Sequence, residues 1–141
     1  RLTGLINPLK IYMGEKDLQQ FFLVKNFLQK KYRTRVVSCK TIRDFGNLAL
    51  SSRNLLLNKK ELNIARNLSK NLIFFKKNLK NKNDIKKILF IKKRELTNQF
   101  NVKIEYFELR NKYNLKNSNN IRDSKLFIAY YINKIRLIDN Y

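Results

Sequence analysis

Two short apolar runs, Lys10–Met13 and Arg35–Cys39, flank one amphipathic stretch from Asp17 to Tyr32. Gly14 breaks the first run, and the second is rich in Val. Between them Leu18, Phe21, Phe22, Val24, Phe27 and Leu28 share a wide apolar face, as a core-facing helix requires. Asp17 with Gln20 three residues on reads as a capping-box-like start. Strand, turn, helix and strand in that order make a βαβ unit, which pairs its strands in parallel. Residues 1–7 read as the end of an apolar helix, stopped before Pro8. Cys39 is expected as a core residue at a strand end, in a reduced, cytoplasmic setting.

The texture changes at residues 43–54, where small residues and Gly46 suit a hinge. Lys59–Leu79 is a strong helix pattern, with Leu62, Ala65, Leu68, Leu72, Phe75 and Leu79 on one face. Asn83 or Asp84 can cap a further helix that runs to about Gln99. Val102–Leu109 and Leu126–Ile132 read as strands, with a polar, Asn-rich loop from Lys112 to Ser124 between them. Arg136–Ile138 reads as a last short strand. The expected organisation is an α/β part over residues 1–45, then a hinge and a small α+β domain over 46–141. No internal repeat and no Pro- or Gly-rich linker is present.

Charge is the next constraint. The chain of 141 residues holds 32 Lys and Arg against 10 Asp and Glu, a net +22. Such a balance points to a polyanionic partner, and a basic RNA-binding or ribosomal protein is one reading. A second reading is compositional: 22 Lys, 10 Arg and 20 Asn, with abundant Ile, Phe and Tyr, are what A+T-rich codons supply to any protein. RNA surfaces favour Arg, which forks and stacks. The charge is also spread out, with 11 basic and 3 acidic residues in 1–53 and 21 and 7 in 54–141, as solvated faces are. The chain contains no His and a single Cys. It therefore has no imidazole base, no Cys/His zinc cluster and no internal disulfide. Its apolar runs are far shorter than the roughly 18 residues of a membrane span.

Three segments carry chemistry. Gly14-Glu15-Lys16-Asp17, with Gln19-Gln20, lies between a strand and a helix N-terminus. Gly admits a ligand to the backbone, the helix start offers N–H groups to an anion, and Lys16 adds a mobile charge suited to phosphate. Asp17 could hold a ribose hydroxyl. An ordinary capped βα loop accounts for Asp17 and Gln20 equally. Leu48-Ala49-Leu50-Ser51-Ser52-Arg53-Asn54 places two hydroxyls and a guanidinium at a helix start, a phosphate clamp or an N-cap with a solvated Arg. Arg136-Leu137-Ile138-Asp139-Asn140 reads as a short edge strand and turn.

Taken together, GEKDLQQ, LALSSRN and RLIDN resemble, in order and spacing, the pantothenate synthetase (pantoate–β-alanine ligase) family. The resemblance covers essentially the whole chain but only the later part of the family's longer sequence. It implies a fold in which the end of a Rossmann-like nucleotidylyltransferase-type domain is followed by a small α+β lid domain. It implies an enzyme joining D-pantoate to β-alanine with ATP and Mg²⁺ through pantoyl adenylate, working as a homodimer, with no specific nucleic acid or membrane partner. Carried over by position, Gly14, Glu15, Lys16 and Asp17 would line the ATP and adenylate site. Gln20 would bond pantoate, and Ile42 would lie against the adenosine. Leu50, Ser51, Ser52 and Arg53 would hold the triphosphate, as the KMSKS loop does in class I aminoacyl-tRNA synthetases. Lys16 and Arg53 would be the catalytic cations, and no residue is implied as a metal ligand.

Departures from the family pattern are specific. Gly46-Asn47 stands where Asp-Gly is usual, Asn133 replaces a usual glycine, and the paired-histidine motif is absent. The chain also starts at Arg1 rather than Met. A fragment with half an active site, inactive by itself, is the expectation, with the first 45 or so residues poorly protected from hydrogen exchange.

Overall fold

The computed structural model describes residues 2–80 and 84–141. They form two compact units that divide between Thr41 and Ile42. The N-terminal unit contains α1 (Leu2–Ile6), β1 (Lys10–Gly14), α2 (Leu18–Lys31) and β2 (Arg35–Cys39). β1 and β2 pair in parallel, Lys10 opposite Arg35 through Gly14 opposite Cys39. This is the βαβ unit expected from the two apolar runs.

Two local expectations for this unit fail. Asp17 makes no capping hydrogen bond. A 3-10 turn over Glu15–Asp17 leaves Asp17 at φ −98°, ψ 55°, away from the extended backbone that lets a cap side chain reach back. Cys39 is exposed, not core. β2 buries Val36, but its last two residues, Ser38 and Cys39, are open. The wide face of α2 is only partly used as well: Leu18, Phe21 and Leu28 are buried, while Leu23 and Phe27 are 72% and 58% exposed.

The second unit contains α3 (Lys59–Asn78), α4 (Ile85–Phe100), β3 (Lys103–Asn111), β4 (Ser124–Ile132) and β5 (Ile135–Asn140). The strands form an antiparallel sheet in the order β3-β4-β5. α3 opens with a capping box in which Asn58 accepts from the Glu61 N–H and Glu61 accepts from the Asn58 N–H. Asp84 caps α4 through the Lys87 N–H; Asn83, the alternative cap, lies outside the described residues. Ala65, Leu68 and Leu72 of α3 and Ile85, Leu89 and Leu96 of α4 meet Leu126, Ile128, Tyr130 and Ile132 of β4 in one core. The four β4 residues alternate along the strand, as one sheet face requires.

β3 breaks that alternation. Ile104, Phe107 and Leu109 all reach the core because the register shifts between Ile104 and Tyr106. The extra residue of this bulge, Glu105, is turned to a new direction, which is what bulges do. β4 and β5 join through Asn133 and Lys134, with Asn133 at φ 52°. Asn tolerates that left-handed backbone better than other non-glycine residues, so the hairpin closes with asparagine where the resemblance led to the expectation of glycine. No helix among the described residues is long and apolar enough to cross a membrane.

Candidate functional site

The site residues expected from sequence fall into two clusters, one in each unit. In the N-terminal unit, Gly14 ends β1, Glu15–Asp17 form the 3-10 turn, and Gln20 lies in the first turn of α2. All therefore gather at the carboxyl end of a parallel strand, where open α/β sheets bind ligands. A Cβ on Gly14 would meet nothing within 4 Å, so the chain's own packing does not demand this glycine. Lys16 is half-buried, whereas Asp17 and Gln20 are exposed. Asp17 makes no capping hydrogen bond, so capping does not account for its identity.

In the second unit, residues 42–50 fold back on themselves. The Leu50 N–H donates to the Ile42 carbonyl at 2.9 Å, and the Asp44 N–H donates to the Leu48 carbonyl at 2.9 Å. Ile42 and Leu50, assigned independently to the adenosine and the triphosphate, are thus neighbours, and both are more than half exposed.

The turn is organised by two acidic residues. Asp44 accepts from the Gly46 N–H at 2.8 Å, the Leu48 N–H at 3.0 Å and Arg66 Nε at 2.7 Å. Burial raises the Asp44 pKa, but the Arg66 guanidinium and the two N–H groups outweigh it, so the carboxyl titrates below its ordinary value. Arg66 then runs over the Phe45 ring, 4.1 Å from its centroid. A Cβ on Gly46 would sit 2.5 Å from Arg66 Cγ and Cδ, so this glycine is required by close approach. Asn47 takes φ 67°, the conformation for which a glycine would otherwise be used. Gly46 and Asn47 together thus make a turn in which the left-handed position falls on Asn47 and the close approach on Gly46.

The second acidic residue is Asp139. Arg43 grips it with both arms, Nη1 to Oδ2 at 2.7 Å and Nη2 to Oδ1 at 3.0 Å. Arg43 also donates to the Asn47 carbonyl at 3.0 Å and the Asn140 carbonyl at 3.1 Å. Its guanidinium lies 4.7 Å from the Tyr141 ring centroid. Burial lowers the Arg43 pKa, but the Asp139 carboxylate more than offsets this, and the net direction is upward. The RLIDN segment, read from sequence as a plain edge strand and turn, supplies this partner.

Ser51 caps a 3-10 turn over Ser52–Leu56, its hydroxyl accepting from the Arg53 N–H at 3.3 Å. The α-helix follows only at Lys59. Ser52 and Arg53 are exposed. Arg53 Nη1 donates to the Arg136 carbonyl at 3.3 Å, and Arg136 is itself held by the bulged Glu105, Nε to Oε2 at 2.7 Å and Nη2 to Oε1 at 3.0 Å. The bulge in β3 thus reaches Arg53 through one intermediate residue. The Arg136 hydrogen bonds hold the Glu105 carboxyl below its usual range. Among the described residues no group of three or more His, Cys, Asp or Glu is placed to hold a metal ion.

The family model of pantoate-beta-alanine ligases matches residues 1–141. The chain is 36% identical over 144 residues to a pantothenate synthetase of Flavobacterium psychrophilum, covering 99% of this chain and 51% of that protein. It is 39% identical over 144 residues to one of Clostridium botulinum, covering 100% and 51%. Among solved structures it is similar to a pantothenate synthetase from Thermus thermophilus, with TM-score 0.81, 25% identity, and coverage of 100% of this chain and 52% of that one. It is also similar to a pantoate-beta-alanine ligase from Francisella tularensis complexed with beta-gamma ATP and beta-alanine, with TM-score 0.70, 30% identity, and coverage of 99% and 46%. The chain spans about half the length of the relatives it matches.

Proposed function

Because the chain belongs to the pantoate–β-alanine ligase family, we propose that it carries the triphosphate-holding part of an enzyme that condenses D-pantoate with β-alanine. In the proposed reaction a pantoate carboxylate oxygen attacks the α-phosphorus of ATP. Pyrophosphate leaves, and the product is pantoyl adenylate. The β-alanine amine then attacks the acyl carbon and AMP departs. Lys16 stabilises charge on the phosphate as the adenylate forms, Gln20 orients pantoate, and Gly14, Glu15 and Asp17 line the nucleotide. Ile42 packs against the adenosine, and Leu50 to Arg53 hold the triphosphate. Preorganised donors aimed at a centre where charge develops are the largest single source of such rate enhancement. Mg²⁺ arrives as MgATP, held mainly by substrate phosphates as is usual for this ion, and the chain's own residues supply no step through it.

One observation supports this reading most: the backbone pairing of Ile42 with Leu50 immediately before the Ser51-capped turn. It sets an exposed apolar platform beside exposed Ser52 and Arg53, the juxtaposition an adenosine triphosphate needs. In this reading residues 1–45 end a Rossmann-like domain, and residues 46–141 form the hinge and a small α+β lid. The whole enzyme is a cytoplasmic homodimer, and the 141-residue chain is inactive alone.

The test is to co-express the chain with the segment of the Flavobacterium psychrophilum relative that it does not match, and to follow pantoate-dependent pyrophosphate release. The pair is expected to turn over and the chain alone to make no pantothenate. Lys16→Ala should slow adenylate formation by about 100-fold or more, and Arg53→Lys should raise the KM for ATP because Lys lacks the fork. Pantothenate from the chain alone would overturn the half-site reading. An unmoved rate in Lys16→Ala would remove Lys16 from the mechanism.

A further inference from the structure

We infer that the Arg43–Asp139 pair is a positioning device for the Ser51–Arg53 loop, fixing it in register along β5. The inference rests on the ligase reading for what the loop holds, but the geometry stands by itself.

A single guanidinium contacts both partners that have to be aligned. It holds the turn through the Asn47 carbonyl, and it holds β5 through both oxygens of Asp139 and the Asn140 carbonyl. Asp139 cannot itself meet a substrate. Its side chain is 4% exposed, and its oxygens are taken by Arg43 and by the Asn140 N–H at 2.8 Å. It acts through Arg43, which makes it a positioning residue.

The downstream end of the same segment is tied to the same strand. Arg53 bonds the carbonyl of Arg136, three positions before Asp139 on β5. Between the two attachments, Leu48 and Ala49 are 3% and 2% exposed, and Asn54 Nδ2 bonds the Ala49 carbonyl at 3.0 Å. β5 therefore serves as a ruler against which residues 43 to 53 are held at two points. Preorganisation of this kind is what a phosphate-holding loop requires, since a loop that must be ordered on binding loses affinity. Removing one partner of a buried fork leaves the other buried and unpaired, so the effect of cutting it should concentrate at the turn.

The experiment uses the 141-residue chain, amide hydrogen exchange, and inorganic triphosphate followed by chemical shifts at Ser51–Arg53. Asp139→Asn and Arg43→Lys are compared with Leu96→Val, a core variant on α4 that lowers overall stability. The expected result is that both pair variants speed exchange at the Leu50 N–H at least about 10-fold relative to Leu68, and weaken triphosphate binding about 10-fold, while Leu96→Val does neither. Arg43→Lys retains the charge, so a reading survives if Asp139→Asn fails to fold. Unchanged Leu50 exchange in the pair variants overturns the inference, and so does faster exchange with unchanged triphosphate affinity. If the unmodified chain shows no shift at Ser51–Arg53 with triphosphate, the triphosphate assignment fails instead, and Leu50 exchange still decides whether the pair positions the loop.

Discussion

The two units of this chain differ in how they satisfy their apolar residues. The second closes one core from α3, α4 and three strands, with Leu68, Leu72, Leu96, Leu126 and Ile128 fully enclosed. The first packs α2 on a two-stranded parallel sheet and leaves Leu2, Leu5, Ile6, Leu9, Tyr12, Leu23 and Phe27 more than half exposed. Parallel strands are normally covered on both faces. Thr3, Ile11, Leu23, Val24, Phe27 and Leu28 line an open apolar hollow of about 500 Å³. Backbone geometry alone is therefore not what makes a βαβ unit stable; the layers it expects around it are.

Hydrogen exchange should show the largest contrast. Amides of Leu18–Leu28 are expected to exchange about 1,000-fold faster than those of Leu68 and Leu72, because local opening follows the density of buried apolar contacts. Slow exchange across Leu18–Leu28 would abolish the distinction between the units. Next in size, Leu72→Ala should cost about 3 kcal/mol in urea unfolding of the second unit by leaving a cavity, whereas Phe27→Ala in the first should cost under about 0.5 kcal/mol. Equal costs would mean that the exposed face of α2 is covered in solution.

The smallest expected effect is a pH dependence confined to the second unit. Asp44 titrates below its ordinary value in the folded chain. Its stabilisation is therefore complete above the unfolded carboxyl pKa of about 3.9 and is lost as pH falls through the lowered folded value. Asp44→Asn should flatten unfolding-versus-pH curves below about pH 4, by less than about 1 kcal/mol because the ion pair is near the surface. A curve of unchanged slope would place the acid sensitivity elsewhere.

The elements were largely legible in the sequence, because period-2 and period-3.6 patterns report which faces are buried. β2 follows the Val-rich run, and α3 follows its leucine spacing. The Asn58–Glu61 capping box carries an equally readable signal, an Asn followed three residues later by Glu at the start of a strong helix, which a reading of apolar spacing alone passes over. The β3 bulge was not readable, since one inserted residue leaves no signature in a mixed apolar strand. Nor was the Arg43–Asp139 fork, whose partners lie 96 positions apart. The site motifs could be recognised as words, but what orders them, one guanidinium spanning a turn and a strand, exists only in three dimensions. The cap expected at Asp17 shows the reverse error, a local rule overridden by a 3-10 turn.

Five described residues other than glycine have positive φ, and four of them are asparagine: Asn7, Asn47, Asn101 and Asn133. None of the glycines has positive φ. The left-handed positions of this backbone are thus carried by side chains and not by glycine. Where the chain turns left-handed, asparagine is the side chain other than glycine for which that conformation costs least. The asparagine richness of this sequence is therefore not neutral toward its fold. At these four positions it eases a left-handed backbone, and Leu115, the fifth, at φ 61°, takes that conformation at a higher steric cost.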